Sequence, residues 1–595
     1  MKANIVIVSA LCLCFYTSKA QLNYTAVTNG LSTVSFEGGN TEMEIGDVDN
    51  DGDLDIISIG DHGSPNVNAT EGGIMVWKNN GTGTAWSLLQ NGNFGYGGCA
   101  LGDVNNDGKM DIGYSMHHNY SATTFGDQIM EVALGNGSGS NWTPYDNGLA
   151  TNGETYGMFG TDLADVNSDG LLDFGANSFG CCNGMRIYKN NGTGAWSQNW
   201  GVSGGNSGGL FKFGDFNNDG NVDFATSNEW GVIWKNTGAG QFTQSQMQTG
   251  FLPSSSGQYC DLIRYDIADV NNDGAKDVAI INILDSLVQV FTFSNSQNKW
   301  LNISNGLPVN HAYGSEVWNV ALADMDMDGK CDMVLFQSDS ILIYKGDGAG
   351  NWSKAGKINV AEAWYTAVNL GDFDHDGYTD IVYLGSPSIG GNNSFRVYLH
   401  NVASHALSIV PNFPQGNECF QPNSVQFIKW TSSVPSGPAT ITIEFSSTGN
   451  AGPWTALATN APNSGIFQWT TPAVSSTNCF LRYTIKSGSS TQTVLLSAAF
   501  GIGSCTTPPT GVVYIPEAED ISIFPNPTGG EFTVVSPGSS VDAILVYNTV
   551  GQLVVRQSAN GQRETVDMKN NSNGIYYCEV KVRGETLRKK IIISK

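Results

Sequence analysis

The residues best suited to chemistry in this chain are aspartates, and they recur at fixed spacing. A nine-residue pattern, D-x-[DN]-x-D-G-x-x-D, occurs seven times, starting at Asp47, Asp103, Asp165, Asp215, Asp269, Asp324 and Asp372. Side-chain oxygens at positions 1, 3, 5 and 9, with the backbone carbonyl of position 7, wrap a hard cation, and the glycine at position 6 permits the sharp turn. Calcium is the natural ion, up to seven per chain. In the first loop the ligands are Asp47, Asp49, Asp51 and Asp55, with Asp53 at position 7. The next three supply Asp103, Asn105, Asp107 and Asp111; Asp165, Asn167, Asp169 and Asp173; and Asp215, Asn217, Asp219 and Asp223. The last three supply Asp269, Asn271, Asp273 and Asp277; Asp324, Asp326, Asp328 and Asp332; and Asp372, Asp374, Asp376 and Asp380.

Charge argues for a metal over a simple polar turn. Carboxylates about 4 Å apart repel by roughly 4 kcal/mol per pair at an effective dielectric near 20, and a divalent ion removes that penalty. Side-chain to backbone hydrogen bonds alone do not. An EF-hand starts the same way but needs a bidentate acid at position 12, which here is Ser58, Tyr114, Ala176, Thr226, Ile280, Leu335 and Tyr383. A group repeated seven times suits architecture better than a single active centre.

The elements around the loops must be strands. Each loop leads into a short apolar run, as in Ile56-Ile57-Ser58-Ile59, then a variable polar loop, a second strand and a Gly/Asn hairpin such as Asn79-Asn80-Gly81-Thr82-Gly83. An aromatic opens the outgoing strand in six units: Trp86, Trp142, Trp196, Phe242, Trp300 and Trp352. Repeat starts lie 48 to 62 residues apart, the length of a four-stranded propeller blade. The seventh unit lacks its outgoing strand, while Leu22 to Leu31 matches the segments after Trp142 and Trp300. The N-terminal strand is therefore expected to complete the last blade and close the ring.

These repeats resemble the FG-GAP/VCBS repeats of integrin α-chain propellers and of many secreted bacterial proteins, over roughly Gln21 to Val402. The expected fold is all-β: a seven-bladed propeller over 21–402, an immunoglobulin or fibronectin III-like sandwich over 403–505, a linker over 506–520 and a small C-terminal sandwich over 521–595. Three tryptophans of the middle segment are expected mainly in its core. The last segment carries nine basic against six acidic residues and contains Ile523-Phe524-Pro525-Asn526-Pro527, Gly574-Ile575-Tyr576-Tyr577 and a terminal Lys589-Lys590-Ile591-Ile592-Ile593. It resembles the C-terminal sorting domain of type IX secretion, which implies the outer-membrane export machinery as a partner.

Met1 to Ala20 has a basic start, an apolar run and small residues before Gln21, and reads as a cleaved signal peptide. No later run approaches the roughly 20 apolar residues of a spanning helix, so the mature chain is expected outside the cytoplasm, and the resemblance to the sorting domain implies release from, or retention at, the outer-membrane surface of a bacterium. After that cleavage nine cysteines remain, an odd number without metal-ligand spacing. The net charge of −26 over 595 residues disfavours nucleic acid.

No catalytic signature stands out. Gly205-Asn206-Ser207-Gly208-Gly209 fits G-x-S-x-G but opens no helix, and His117-His118 lacks a third metal ligand. The favoured function is a secreted or displayed recognition module for a glycan or protein, with a glycan-active hydrolase or lyase as the alternative. Loops opposite the aspartates offer His62, His117, His118, Tyr120, Asn228, Glu229 and Trp230, and blade connections add Tyr96 and Trp364 as ligand-binding candidates.

Overall fold

The computed structural model describes residues 23–595 except 32–42, 61–71, 118, 120–123, 155–156, 179–183, 203–209, 227–231, 247–262, 283–286, 309–316, 361–366, 386–393, 402–405, 436, 504–521, 527, 536–539, 549–551, 560 and 583–584. Every regular element in it is a strand. Seven four-stranded antiparallel sheets follow one another, the first built from Glu44–Gly46, Asp55–Gly60, Gly72–Asn79 and Trp86–Asn91. The first strands of neighbouring sheets adjoin and so surround the axis of a propeller. The second strands are its densest layer: Asp55–Gly60, Asp173–Ser178, Asp332–Gln337 and Asp380–Gly385 are buried throughout. Such strands read as unbroken apolar or small-residue runs because sheet packs on both their faces.

The ring closes as its repeat phase requires. Tyr24–Val27 pairs antiparallel with Ser394–His400, Tyr24 opposite His400, and supplies the fourth strand of the seventh blade. Just beyond, the Asn29 carbonyl accepts the Trp86 N–H at 3.0 Å, as Asn147 does for Trp196 and Asn305 for Trp352, both at 2.8 Å. Gly30 has φ of +85°, and any Cβ there would collide with the Trp86 carbonyl. All six outgoing-strand aromatics are buried.

Blades are also stitched through the hairpin asparagines. The Asn79 side-chain amide donates to the carbonyl of Phe373 in the preceding blade at 2.8 Å and to Leu54 at 3.2 Å. Asn190 does the same for Val104 and Asn236 for Val166, each at 2.8 Å. In each case the acceptor in the preceding blade is position 2 of its aspartate loop.

Residues 408–502 form nine strands in two sheets around a core that includes Trp430, Trp469 and Tyr483. Trp454 lies under the Arg482 guanidinium, 4.6 Å away. An immunoglobulin-type sandwich has about seven strands. The extra ones are short, and Cys419–Phe420 pairs in parallel with Phe500–Ile502 at one edge. Cys419 is disulfide-bonded and Cys479 is free. This sandwich and the propeller form one compact unit, Met1–Pro509, and Thr510–Lys595 forms a second. The second unit has a three-stranded and a four-stranded sheet around Phe532, Val546, Val580 and Ile591. Among the described residues no helix is long and apolar enough to cross a membrane.

Asn79→Ala strands the buried Phe373 carbonyl and the half-buried Leu54 carbonyl, so it should destabilise the protein by about 1–3 kcal/mol in chemical denaturation. Exposed Ser87→Ala should stay within about 0.5 kcal/mol of wild type.

Candidate metal centres

Each aspartate loop joins the first strand of a blade to the second, and all seven share one backbone solution. Position 4 lies in the left-handed region in every loop, from φ of +54° at Asn218 to +60° at Asn50, Met327 and His375. The glycine at position 6 is also left-handed in all seven. These two bends curl the chain back over its first aspartate. One carboxylate oxygen of position 1 accepts the position-6 N–H in every loop, as Gly52 to Asp47 at 3.0 Å and Gly108 to Asp103 at 2.7 Å. The position-4 requirement has a visible signal, since asparagine tolerates that region and fills four of the seven sites.

The aspartate at position 9 serves the framework as well as the site. Asp55 Oδ2 accepts the Val48 N–H at 3.3 Å while its Oδ1 accepts the Asn79 N–H at 2.8 Å. The first bond recurs in all seven loops and the second in six. In the remaining loop Asp277 Oδ1 is buried without a hydrogen-bond partner.

Other oxygens in the loops are similarly unmatched: Asp49 Oδ1, Asn167 Oδ1, Asp326 Oδ1 and Asp372 Oδ1 are buried with no hydrogen-bond donor. A buried acceptor without a donor is costly, and a cation would satisfy it. Three loops gather carboxylate oxygens within 4.8 Å of one another: Asp47, Asp49 and Asp51; Asp324, Asp326 and Asp332; and Asp372, Asp374 and Asp380. They are the three with aspartate at position 3. The other four carry Asn105, Asn167, Asn217 and Asn271 there, and the last two turn their amide nitrogens toward Asp219 and Asp273. The donor set is all oxygen, which fits a hard divalent ion.

Burial raises many of these carboxyls: Asp47 to about 7, and Asp55, Asp111 and Asp332 each to about 8. Lysines supply part of the missing positive charge. Lys78 pairs with Asp49, Lys189 with Asp169 at 2.8 Å, and Lys345 with Asp326 and Asp328. All three precede the hairpin in an aromatic-Lys-[Asn/Gly] run, a recurrence that marks them in sequence once the loops are aligned. Asp53 uses its carboxylate to join two loops, its Oδ1 lying 2.8 Å from His375 Nε2.

The sandwich sits on this face and meets every loop. Gln468 clasps Asp103 through both backbone groups, donating to its carbonyl at 2.8 Å and accepting its N–H at 3.0 Å. Val425 N–H donates to Asp165 Oδ2 at 3.0 Å. Asn218 accepts the Cys419 N–H at 2.6 Å and donates to the Asn417 carbonyl at 2.8 Å. Asn417 donates to the Asn272 carbonyl at 3.1 Å, Gln415 to Gly329 at 2.9 Å and Val434 to His375 at 2.8 Å. Gly52 of the first loop lies against Pro462 and Asn463, where an added Cβ would come within 3.2 Å of the Asn463 nitrogen. Most of these bonds reach backbone atoms, so the sequence carries little trace of them.

Beneath the sandwich the propeller axis holds a cavity of about 620 Å³. The residue three before each loop lines it: Glu44, Ala100, Asp162, Lys212, Asp266, Ala321 and Asn369. Lys212 pairs with Asp266 at 2.6 Å, and Lys429 enters from the sandwich. Burial pushes the Glu44 carboxyl up to about 7. This ring has a fixed offset from a motif, yet sequence reasoning passed over it.

Of the nine ligand-binding candidates, His62, His118, Tyr120, Asn228, Glu229, Trp230 and Trp364 lie outside the described residues. Tyr96 and His117 are brought together with Phe159: the Tyr96 ring centroid is 5.4 Å from that of His117 and 5.2 Å from that of Phe159.

Residues 47–114 and 324–383 match the family model for an FG-GAP-like repeat, and 522–594 match that of a secretion system C-terminal sorting domain. The chain carries FG-GAP-like repeats and a C-terminal sorting domain. The sorting domain marks type IX export, to the cell surface or outside. Among curated proteins nothing matches. Similar solved structures include an Agrocybe aegerita lectin recognising non-reducing terminal N-acetylglucosamine, at 21% identity over 53% of this chain and 79% of that one, TM-score 0.38. The WD40 domain of Toxoplasma gondii coronin matches at 8% identity over 64% and 89%, TM-score 0.36. The V. cholerae biofilm matrix protein Bap1 matches at 12% over 84% and 80%, TM-score 0.27.

The FG-GAP-like loops make a signed prediction. Raised carboxyls mean that the metal-free folded chain holds protons the unfolded chain has released. Its stability should therefore fall as pH rises from the ordinary carboxylate value near 4 through about 8. Calcium binds the deprotonated loops, so millimolar calcium should raise the melting temperature much more at about pH 8 than at about pH 5. Identical melting curves with EDTA and calcium at both pH values would contradict the assignment.

Proposed function

We propose that this protein is a calcium-stabilised recognition propeller, exported after removal of residues 1–20 and delivered to the cell surface or medium through residues 521–595. It binds a glycan or a protein through the face opposite its aspartate loops. The observation that carries this reading is the position of the sandwich: it occupies the loop face, which directs an external ligand to the other mouth of the ring. The connections there differ in length and residue type from blade to blade, and the Tyr96, His117 and Phe159 cluster lies among them. Aromatic faces with polar edges suit sugar or peptide recognition, stacking supplying area and polar groups orientation. In this reading calcium is structural, with dissociation constants of roughly 0.1 to 1 mM as in other extracellular modules.

A second reading, a glycan-active hydrolase or lyase, is favoured by one observation. The axial cavity collects Glu44, Asp162 and Asp266, and a carboxyl raised to about 7 is suited to acid catalysis. A screen of polysaccharides and surface proteins that scores binding and cleavage separately distinguishes the two. Cleavage abolished by Glu44→Gln with unchanged melting temperature selects the enzyme.

On the recognition reading, Trp230→Ala, His118→Ala and His117→Ala should each weaken an identified ligand by about tenfold, or 1.4 kcal/mol, without moving the melting temperature. Full affinity in all three places the site elsewhere. Deleting 521–595 should leave a folded propeller that fractionation finds inside the outer membrane, and normal surface delivery of that truncation contradicts the export route.

A further inference from the structure

The sandwich contacts all seven loops, and the contacts fall on ligand residues or on the backbone between them. Asp165 Oδ2, which accepts the Val425 N–H, belongs to a ligand side chain. Gln468 holds both backbone groups of Asp103, the first ligand residue of its loop. Gln421 donates to the carbonyl of Asp219, at position 5, at 3.0 Å, and Gln415 to that of Gly329, at position 6. Asn218, between ligand positions, bridges its loop to Asn417, Cys419 and the Asp273 carbonyl of the next loop.

We infer that the ring of metal loops is a calcium-dependent seat for the sandwich, so that metal occupancy and sandwich docking are one linked equilibrium. This rests on the calcium assignment made above. The physical link is geometric. Without a cation, neighbouring carboxylates relieve their repulsion by taking up protons or by moving apart, and movement at positions 1, 4, 5 or 6 misplaces an acceptor or donor that the sandwich uses. With a cation, those positions are held and the seat is complete. The Asp49 side chain, about nine-tenths buried with Oδ1 unmatched, shows that ligand oxygens await a partner even with the sandwich in place. Each contact is a hydrogen bond or two, or close packing at Gly52, of modest net worth, but seven points of attachment on one rigid body act together. Linkage is reciprocal: if calcium favours the seated state, the seated sandwich must tighten calcium by the same factor.

The sandwich side offers variants that touch no metal ligand side chain. In the full mature chain, Gln415→Ala, Gln421→Ala and Gln468→Ala combined should weaken the calcium half-saturation concentration about fivefold or more by calorimetric titration. Hydrogen exchange reads the seat itself. EDTA should accelerate exchange at the Cys419, Val425 and Val434 amides, which donate to loop acceptors, while the core amides of 441–445 stay protected. The triple variant should show that acceleration even in calcium. Should it fail to fold, Gln468→Ala alone must show both effects in the same direction. Calcium binding with wild-type affinity in the variant, or unchanged exchange at those three amides when EDTA removes bound calcium, overturns the linkage and leaves the calcium assignment standing. Absence of any calcium binding overturns both.

Discussion

The structure depends on how a nine-residue turn disposes of its own carboxylates. In the first loop the left-handed position 4 and the glycine at position 6 bring two backbone N–H groups onto Asp47, and Asp55 reaches back to position 2 and across to the third strand, a pattern most of the other loops share. One turn thereby fixes the angle between the first two strands of a blade and its link to the third. The hairpin asparagine then ties the blade back to the one before it. A ring of seven follows from repeating a local rule, because each unit ends by completing its neighbour.

The same turn creates an electrostatic debt that the polypeptide only partly settles. Burial raises the carboxyls, lysines from the third strand reach into some loops, and several oxygens still have no donor. Protonation, a tethered ammonium and a divalent ion are three answers to one problem, and they differ in what they do to the loop. Only the ion draws several oxygens to a common centre, and the three loops with aspartate at position 3 are those that hold three carboxylate oxygens within 4.8 Å of one another.

Around this near-sevenfold ring the sandwich is an asymmetric body, so it cannot use the same contact seven times. It meets one loop with a glutamine clasp, another with a backbone N–H to a carboxylate, and another with close packing on glycine. Its arrival closes one end of the axial channel and brings Lys429 over the ring of residues that precede the loops. The architecture thus assigns different work to the two faces. One is a structural seat and the other is left to variation, the usual division where a rigid scaffold carries functional loops.

Much of this was legible in the chain itself, because the determinants are short-range. The aspartate spacing, the glycine at position 6, the apolar runs and the Asn-Gly-Leu segment at the N-terminus specify seven blades and a closing strand without any distant partner. The lysines and the cavity ring were also present at fixed offsets from the motif, and their meaning emerged once the blades were superimposed in space. The seat of the sandwich was of another kind. Gln415, Gln421 and Gln468 grip backbone atoms of loops 86, 202 and 365 residues away in sequence, and a backbone acceptor looks the same whatever side chain it carries. Sequence alone determined the turn and its repetition, since both are set by local sterics and charge. The tertiary structure decided which face the sandwich covers, because that choice is made by shape and by groups that every residue shares.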